Sequence, residues 1–367
     1  MKITGYRNEA FVWRWRNYGD ANNPGGQECF QASLLFLETD AGLTGIVPGS
    51  TDDELFSVVE GRDPRGVTGL WKQLNDQVFK QNRQAAIGPL DNALWDLKAK
   101  ANDEPVWRTF GAKEGRVKVY ASGLDMPLSD DKMAAYYREM ASLGINGGKL
   151  KVGLDIEDDR RRLGIMRDCL KPAKREPYLM IDSNEFWSPK QAIRKVARLE
   201  EDFDLQWVEE PARRWDWRGL RQVSQAVRAA VATGENLHHI GEHMHLIANE
   251  AVDVVQLGPD GCAGLTGGLY VAGMAHGHEK PVSGVTGPGQ IVAHLLASLP
   301  NHSMTELKDL KTPPCWTIPN RIEDGWLLLG DAPGFGIEVD EAKLCEMQAN
   351  PLSTDGEAPR RKGAGLF

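Results

Sequence analysis

The sequence predicts an α/β protein: a parallel (β/α)8-type barrel joined to an α+β domain that is built from the N-terminal segment and the C-terminal tail. Three observations predict it. From Val117 onward, eight short apolar runs alternate with amphipathic helical patterns, most of them about 21–31 residues apart. One strand, one helix and two short loops occupy about that length. Ahead of the runs, about 115 residues read as antiparallel strands followed by helices, and behind them the rhythm breaks into short strand patterns. A length of 367 residues suits two domains. The expected division is 1–115 plus 322–367 for the α+β domain and 116–321 for the barrel.

The elements follow in order. Met1 to Tyr6 reads as a strand and lacks the apolar core of a signal peptide. Ala32 to Leu37 is a second strand, Asp40-Ala41-Gly42 a turn, and Leu43 to Val47 the returning strand. Leu90, Ala93, Leu94 and Leu97 mark a helix over Leu90 to Lys100, with Pro105 and Gly111 beyond its end. The eight barrel runs are Val117–Tyr120, Gly148–Val152, Tyr178–Ile181, Leu205–Val208, Ala229–Ala232, Val252–Gln256, Pro281–Val285 and Met304–Leu307. An open doubly wound sheet is the alternative, but neither GxGxxG nor GxxxxGK[ST] occurs at a strand-to-helix junction. Gly325 to Gly330 and Gly334 to Val339 suggest strands returning to the first domain, and the last dozen residues read as a loose end.

Composition excludes several function classes. Hydrophobic residues at 41% and charged residues at 26% are globular proportions. A net charge of −9 speaks against a nucleic-acid binder or a polybasic membrane anchor. No apolar run reaches the roughly 18 residues of a membrane-spanning helix. Five scattered cysteines without a CxxC pair disfavour zinc and a disulfide framework, so a cytoplasmic location is expected.

The chemistry is concentrated where the runs end, because in a barrel those ends share one mouth. The second run ends in Lys149-Leu150-Lys151, and strand alternation puts both lysines on one face. The next three end in Asp182, in Glu209-Glu210-Pro211 and in Gly234-Glu235-Asn236, with 27 and then 26 residues between the carboxylates Asp182, Glu209 and Glu235. Three acids in one mouth repel unless a positive charge lies between them, and an oxygen-only donor set suits Mg²⁺. The plain alternatives are solvated loop acids and two lysines reaching out to water from a surface strand. Like charge on Lys149, burial and a nearby cation are expected to depress the pKa of Lys151 and make it a general base.

These motifs resemble the enolase superfamily, specifically its mandelate racemase and muconate lactonizing enzyme branch. The likeness runs over nearly the whole chain through Lys149-Leu150-Lys151, Ile181-Asp182-Ser183-Asn184, Val208-Glu209-Glu210-Pro211, Thr233-Gly234-Glu235-Asn236 and Leu94-Trp95-Asp96-Leu97-Lys98. It implies that the α+β domain caps the barrel mouth, that Asp182, Glu209 and Glu235 bind Mg²⁺, and that Lys151 is the base. It also implies that Glu306 hydrogen-bonds the substrate carboxylate, and that the chain forms a homo-oligomer, a dimer or octamer. Two departures matter. The position of the family's strand-seven histidine falls on Thr286, and no histidine occurs from Glu279 to Ala293. The aspartate position on strand six falls on Gly258, with Asp260 two residues on.

A single base on one face fits a Mg²⁺-dependent acid-sugar dehydratase, which passes through a metal-stabilised enediolate to a 2-keto-3-deoxy acid. A racemase, epimerase or cycloisomerase is the first alternative. A Schiff-base aldolase using Lys149 or Lys151 and a decayed metal-binding barrel are the others. Substrate contacts are expected from Asn184, Asn236, His239 and Thr286, and from Arg14 and Arg16 in the alternating Trp13-Arg14-Trp15-Arg16. For His238 and His239 a helix cap or solvent exposure is the competing reading, and for the Trp-Arg repeat a half-exposed strand.

Overall fold

The computed structural model describes residues 1–350 apart from 172–175, 259, 260, 286 and 288. The tail expected as a loose end lies outside the described residues, as do Thr286 and Asp260. The chain opens with an antiparallel sheet of β1 (Ile3–Tyr18), β2 (Gln27–Thr39) and β3 (Thr44–Pro48), in that spatial order. β1 runs well past its expected end at Tyr6. Its later residues alternate in burial, with Phe11 and Trp13 inside and Arg14 exposed, which is the two-residue period of a strand with one wet face. In β2, Leu34 to Leu37 are all buried.

The helix Gly88–Ala101 packs on β2 and β3 with one face. Its other side meets the barrel helix Leu265–Gly277, where Trp95 Nε1 donates to Thr266 Oγ1 at 2.9 Å. Burial on both sides obliges its polar groups to find partners. Asp96 accepts from the Ile46 and Phe335 amides at 2.9 and 2.8 Å and pairs with Lys100 at 2.7 Å, which ties sheet, helix and tail together. Asp91 accepts from the Thr266 amide at 2.8 Å and its hydroxyl at 2.6 Å.

Burial pushes Asp91 up to about 7, against hydrogen bonds from Thr266 and Leu265 that favour its charged form. A carboxyl whose folded pKa exceeds its unfolded value stabilises the fold fully below about 4, and this contribution is lost as pH rises through about 7. Asp91→Asn removes that loss. Chemical denaturation is therefore expected to show the variant gaining on the wild type between pH 4.5 and 7.5, by on the order of 2–4 kcal/mol. A constant difference across that range would contradict it.

The barrel strands are β4 (Arg116–Ser122), β5 (Gly147–Lys151), β6 (Tyr178–Asp182), β7 (Leu205–Glu209), β8 (Ala230–Thr233), β9 (Val254–Leu257), β10 (Val282–Gly284) and β11 (His302–Leu307). Each pairs in parallel with the next, and β11 closes on β4. Inward side chains fill the interior: Tyr120, Met180, Trp207, Ala232, Val254 and Met304 form a cluster of their own. Tyr120 and Trp207 meet edge to face at 5.2 Å and floor the mouth. The alternate positions Leu179, Ile181 and Val208 face the surrounding helices in the larger core. Helix starts are capped just after the loops, by Asp155, Asp216 and the Ser188–Gln191 capping box.

The tail divides its contacts. β12 (Trp316–Thr317) pairs with β15 (Glu338–Val339), while the hairpin β13 (Arg321–Glu323) and β14 (Trp326–Leu328) attaches to the start of β4. The first of the two expected returning strands thus joins the barrel sheet instead of the N-terminal domain. Beyond it the chain does return. Gly334 accepts from the Val106 amide at 2.9 Å, and the helix Glu341–Ala349 lies against β1 through Arg7–Glu341 at 2.5 Å. No helix among the described residues is long and apolar enough to cross a membrane, and all five cysteines are free.

Candidate active site

Strand β5 delivers two ammonium groups to the mouth. Lys149 is fully buried and Lys151 nearly so, while Leu150 between them packs outward in the core. Lys149 Nζ bonds Glu209 Oε1 and lies 3.2 Å from both Asp182 Oδ2 and Glu306 Oε1. Its charge also sits 5.7 Å from the Tyr120 ring centre. Lys151 Nζ donates to Asp182 Oδ2 at 2.6 Å and to Asn184 Oδ1 at 2.9 Å. Asp182 Oδ1 accepts from the Asn184 amide at 2.9 Å, which Asn184 reaches with a left-handed φ of 46°.

The neighbouring strands add acids. Glu209 Oε2 accepts from Trp207 Nε1 at 3.2 Å. Glu210 is buried, and Asn236 Nδ2 donates to it at 2.7 Å and to Glu235 at 3.2 Å. Gly234, at φ 140°, lets β8 end against β9: a Cβ there would stand 2.4 Å from the Gln256 carbonyl oxygen. On the rim, Arg214 grips Glu185 with two nitrogens at 2.6 and 3.0 Å and donates to the Asn236 carbonyl at 2.8 Å, latching three loops.

Electrostatically the acids outnumber the cations. Burial raises Glu209 well above the usual carboxylate range against the pull of Lys149, and Asp182, Glu235 and Glu306 add to the rise. Burial and Asp182 likewise raise Glu235, while burial, Glu235 and Asp182 raise Glu210. Burial would also raise Asp182 and Glu306, but Lys151 and Lys149 hold Asp182 below its ordinary value, and Lys149, Lys308 and Lys151 hold Glu306 at about 2. Glu306 thus faces the ammonium groups of Lys149 and Lys308, at 3.2 and 3.4 Å. Burial alone would lower Lys151, yet Asp182, assisted by Glu235 and Glu209, holds it above the ordinary lysine value. With no cation to offset them, the carboxylates outweigh burial and Lys149, whereas the depression expected from the sequence includes a cation beside them.

Three acids raised for want of positive charge, Glu209, Glu210 and Glu235, beside the ionised Asp182 make an oxygen-donor set that matches a hard divalent cation. As the side chains stand, Lys149 is the counter-ion between Asp182 and Glu209. Among the described residues no three acidic, imidazole or thiol groups close around one point as a metal cage.

The structure brings Lys149, Lys151, Asp182, Glu209, Glu306 and Asn184 into direct contact, with Glu235 and Asn236 beside them. It does not bring in three others. His239 is the N-cap of the helix Ile240–Ala248, its Nδ1 accepting from the Gly241 amide at 3.1 Å. Arg14 is exposed on the wet face of β1. Arg16 is committed to the Ser122 and Lys308 carbonyls at 3.1 and 3.0 Å and stacks on Tyr136. Sequence reasoning missed Glu210 as a buried group and Arg214 as a partner of Glu185. No local pattern marks a pairing partner 29 residues away.

Known proteins share this architecture. The "Enolase C-terminal domain-like" family model matches residues 132–343, and the "Mandelate racemase / muconate lactonizing enzyme, N-terminal domain" model matches 31–111. The chain is 32% identical to the L-talarate/galactarate dehydratase of Salmonella typhimurium, over 78% of this chain and 72% of that protein. It is 26% identical to the 3,6-anhydro-alpha-L-galactonate cycloisomerase of Streptomyces coelicolor, over 86% and 91%. A racemase from Streptomyces coelicolor crystallised with bound magnesium superposes with a TM-score of 0.86 at 25% identity, over 94% of this chain and 99% of that one. With both domain models matched on a closed parallel barrel, the chain belongs to the mandelate racemase and muconate lactonizing enzyme branch of the enolase superfamily.

Proposed function

We propose that this protein is a Mg²⁺-dependent dehydratase of an acid sugar. It would remove the hydrogen α to a carboxylate and expel the neighbouring hydroxyl as water, leaving a 2-keto-3-deoxy acid. The observation that carries the reading is the pair Lys149 and Lys151, buried side by side among the carboxylates of β6, β7 and β11. Asp182, Glu209 and Glu235 would hold the cation, on the strength of an oxygen-only donor set short of positive charge. Bound there, Mg²⁺ supplies positive charge that offsets the negative charge growing on the substrate carboxylate.

The chain's own groups do the rest. With a cation offsetting Asp182, Glu209 and Glu235, Lys151 would give up its own proton more readily and, as the neutral amine, take the α-hydrogen as a proton. Lys149, held by Glu306 and the buried Tyr120–Trp207 floor, presents a fixed positive charge to the carboxylate. The electron pair from the broken C–H bond forms the new double bond as the C–O bond to the leaving hydroxyl breaks. The ammonium of Lys151 returns the proton to that hydroxyl, so water leaves from the face on which the base acts. The resulting enol becomes the keto acid. Racemisation needs a donor on the opposite face, and residues 279–293 contain no histidine to supply one.

The cycloisomerase relative favours a second reading, in which the same deprotonation is followed by a different collapse. A panel of aldonic, aldaric and uronic acids with Mg²⁺, followed by proton NMR in D₂O and a 2-keto acid assay, separates the two. Keto acid formation is expected. Deuterium incorporation without water loss would overturn the dehydratase reading in favour of an epimerase. Trapping of substrate on the chain by borohydride would mark a Schiff-base lysine instead. The small-molecule carboxylate is the expected partner, and light scattering would test the homo-oligomer proposed with it.

A further inference from the structure

The loop that follows β4 carries a buried carboxylate to which the reaction assigns no part. β4 and β5 pair as a parallel ladder only as far as Ser122 opposite Lys149. Beyond that rung the first strand leaves the sheet, yet the base-bearing strand continues to Lys151. The Lys151 amide is thereby left without a strand neighbour on that side. Asp125 fills the gap: its Oδ1 accepts from the Lys151 amide at 3.0 Å, in a position where Asp125 is wholly buried. A side chain thus stands in for the missing rung.

The carboxylate is itself held on every side. Tyr137 hydroxyl lies 2.7 Å from Asp125 Oδ2 and 2.8 Å from the Lys149 carbonyl oxygen, so one phenol bridges the two residues. Arg162, also buried, donates to the Asp125 carbonyl at 2.7 Å and to the Leu128 carbonyl at 3.0 Å, and stands 3.7 Å from Oδ1. Getting the carboxylate there strains the chain. Leu124 adopts φ 48°, and a Cβ on Gly123 would stand 2.6 Å from Asp125 Oδ2 and 2.9 Å from its Cβ. Strain of this kind persists where surrounding contacts over-determine it, and such places cluster at functional sites.

The same loop is where the N-terminal sheet touches down. The Gly19 amide, one residue past β1, donates to the Leu124 carbonyl at 2.9 Å, and Gly19 bridges Asp125. Three residues on, Asn22 Nδ2 donates to the Asn184 carbonyl at 2.8 Å, and Asn184 is a partner of the Lys151 ammonium. The cap hairpin is therefore seated on two groups that hold Lys151, one at its backbone and one at its head.

We propose that Asp125 is a positioning residue for Lys151: its carboxylate replaces the ladder bond that β4 cannot make, and through Gly19 it links the seating of the cap to the placement of the base. This rests on Lys151 being the base of the proposed reaction. Without Asp125 the Lys151 amide is orphaned, and displacements of about 1 Å at a reacting group can cost about 100-fold in rate. Asp125→Asn keeps an acceptor for that amide, whereas Asp125→Ala removes it.

The test has two arms. In the first, hydrogen-exchange mass spectrometry on the full-length protein compares peptides spanning 147–152 in wild type, D125A and D125N, with no substrate present. Faster exchange in D125A, largely restored in D125N, is expected, with overall thermal stability measured alongside. Exchange unchanged in D125A would overturn the proposal whatever the reaction proves to be. In the second arm, on an acid sugar that the wild type turns over, D125A is expected to lose about 100-fold in kcat with KM changed less than about threefold. D125N should regain most of that loss. Equal losses in both variants, or a loss confined to KM, would overturn the positioning role. Wild type inactive on every acid sugar would count against the proposed function alone, since the first arm still decides the Asp125 contact.

Discussion

Replacing Lys151 by alanine is expected to abolish exchange of the substrate α-hydrogen with solvent, lowering kcat by about 10⁴-fold, the upper range for a positioned general base. Lys151→Arg separates charge from base strength. Arginine keeps a cation beside Asp182 and Asn184, but it does not give up its proton at any working pH. Both variants should therefore be inactive, while only the alanine variant removes one of the two cations beside Asp182. Proton NMR in D₂O on a substrate of the wild type reads this directly. An arginine variant with near-normal exchange would reduce Lys151 to an electrostatic role.

The second large effect is expected at Glu209. Glutamine is nearly isosteric and neutral, and with no divalent cation present burial, together with Asp182, Glu235 and Glu306, disfavours the charged form of this side chain against the pull of Lys149. Glu209→Gln is thus expected to leave thermal stability within a few degrees of the wild type. It should weaken Mg²⁺ binding by at least about 100-fold in calorimetric titration, more than the 10–100-fold typical of altering a group one bond further out. Activity should fall in parallel. In the wild type, EDTA should abolish turnover and added Mg²⁺ restore it. Full activity of E209Q at micromolar Mg²⁺ would remove Glu209 from the ligand set.

Much of this was legible from the chain alone. The eight barrel runs appear where strands β4 to β11 stand, because a parallel strand covered on both faces must be apolar over its short length. Lys149, Lys151, Asp182 and Glu209 could be placed in one mouth because run ends and the two-residue period need only local information. The misreadings involve distant partners. β1 reads as ending at Tyr6 since its outer face is polar through Arg14, and β14 joins β4, a partner set by the barrel's closure. Arg16 and His239 carry the right chemistry for a site but are used up by backbone groups that no spacing reveals. The acids that raise Lys151 are no more local: Asp182, Glu235 and Glu209 act on it together only once three strands are assembled. Asp125 reads in the sequence as a lone acid in a loop, and only the end of its strand at Ser122 gives it a role.

Mn²⁺ gives the most direct check, since it substitutes for Mg²⁺ in oxygen sites and scatters anomalously. Crystals of the wild type grown with Mn²⁺ should show one strong anomalous peak at the barrel mouth, contacted by carboxylate oxygens of Asp182, Glu209 and Glu235, with Lys149 displaced from between the first two. A mouth without a peak, and Lys149 still bridging Asp182 and Glu209, would contradict the account.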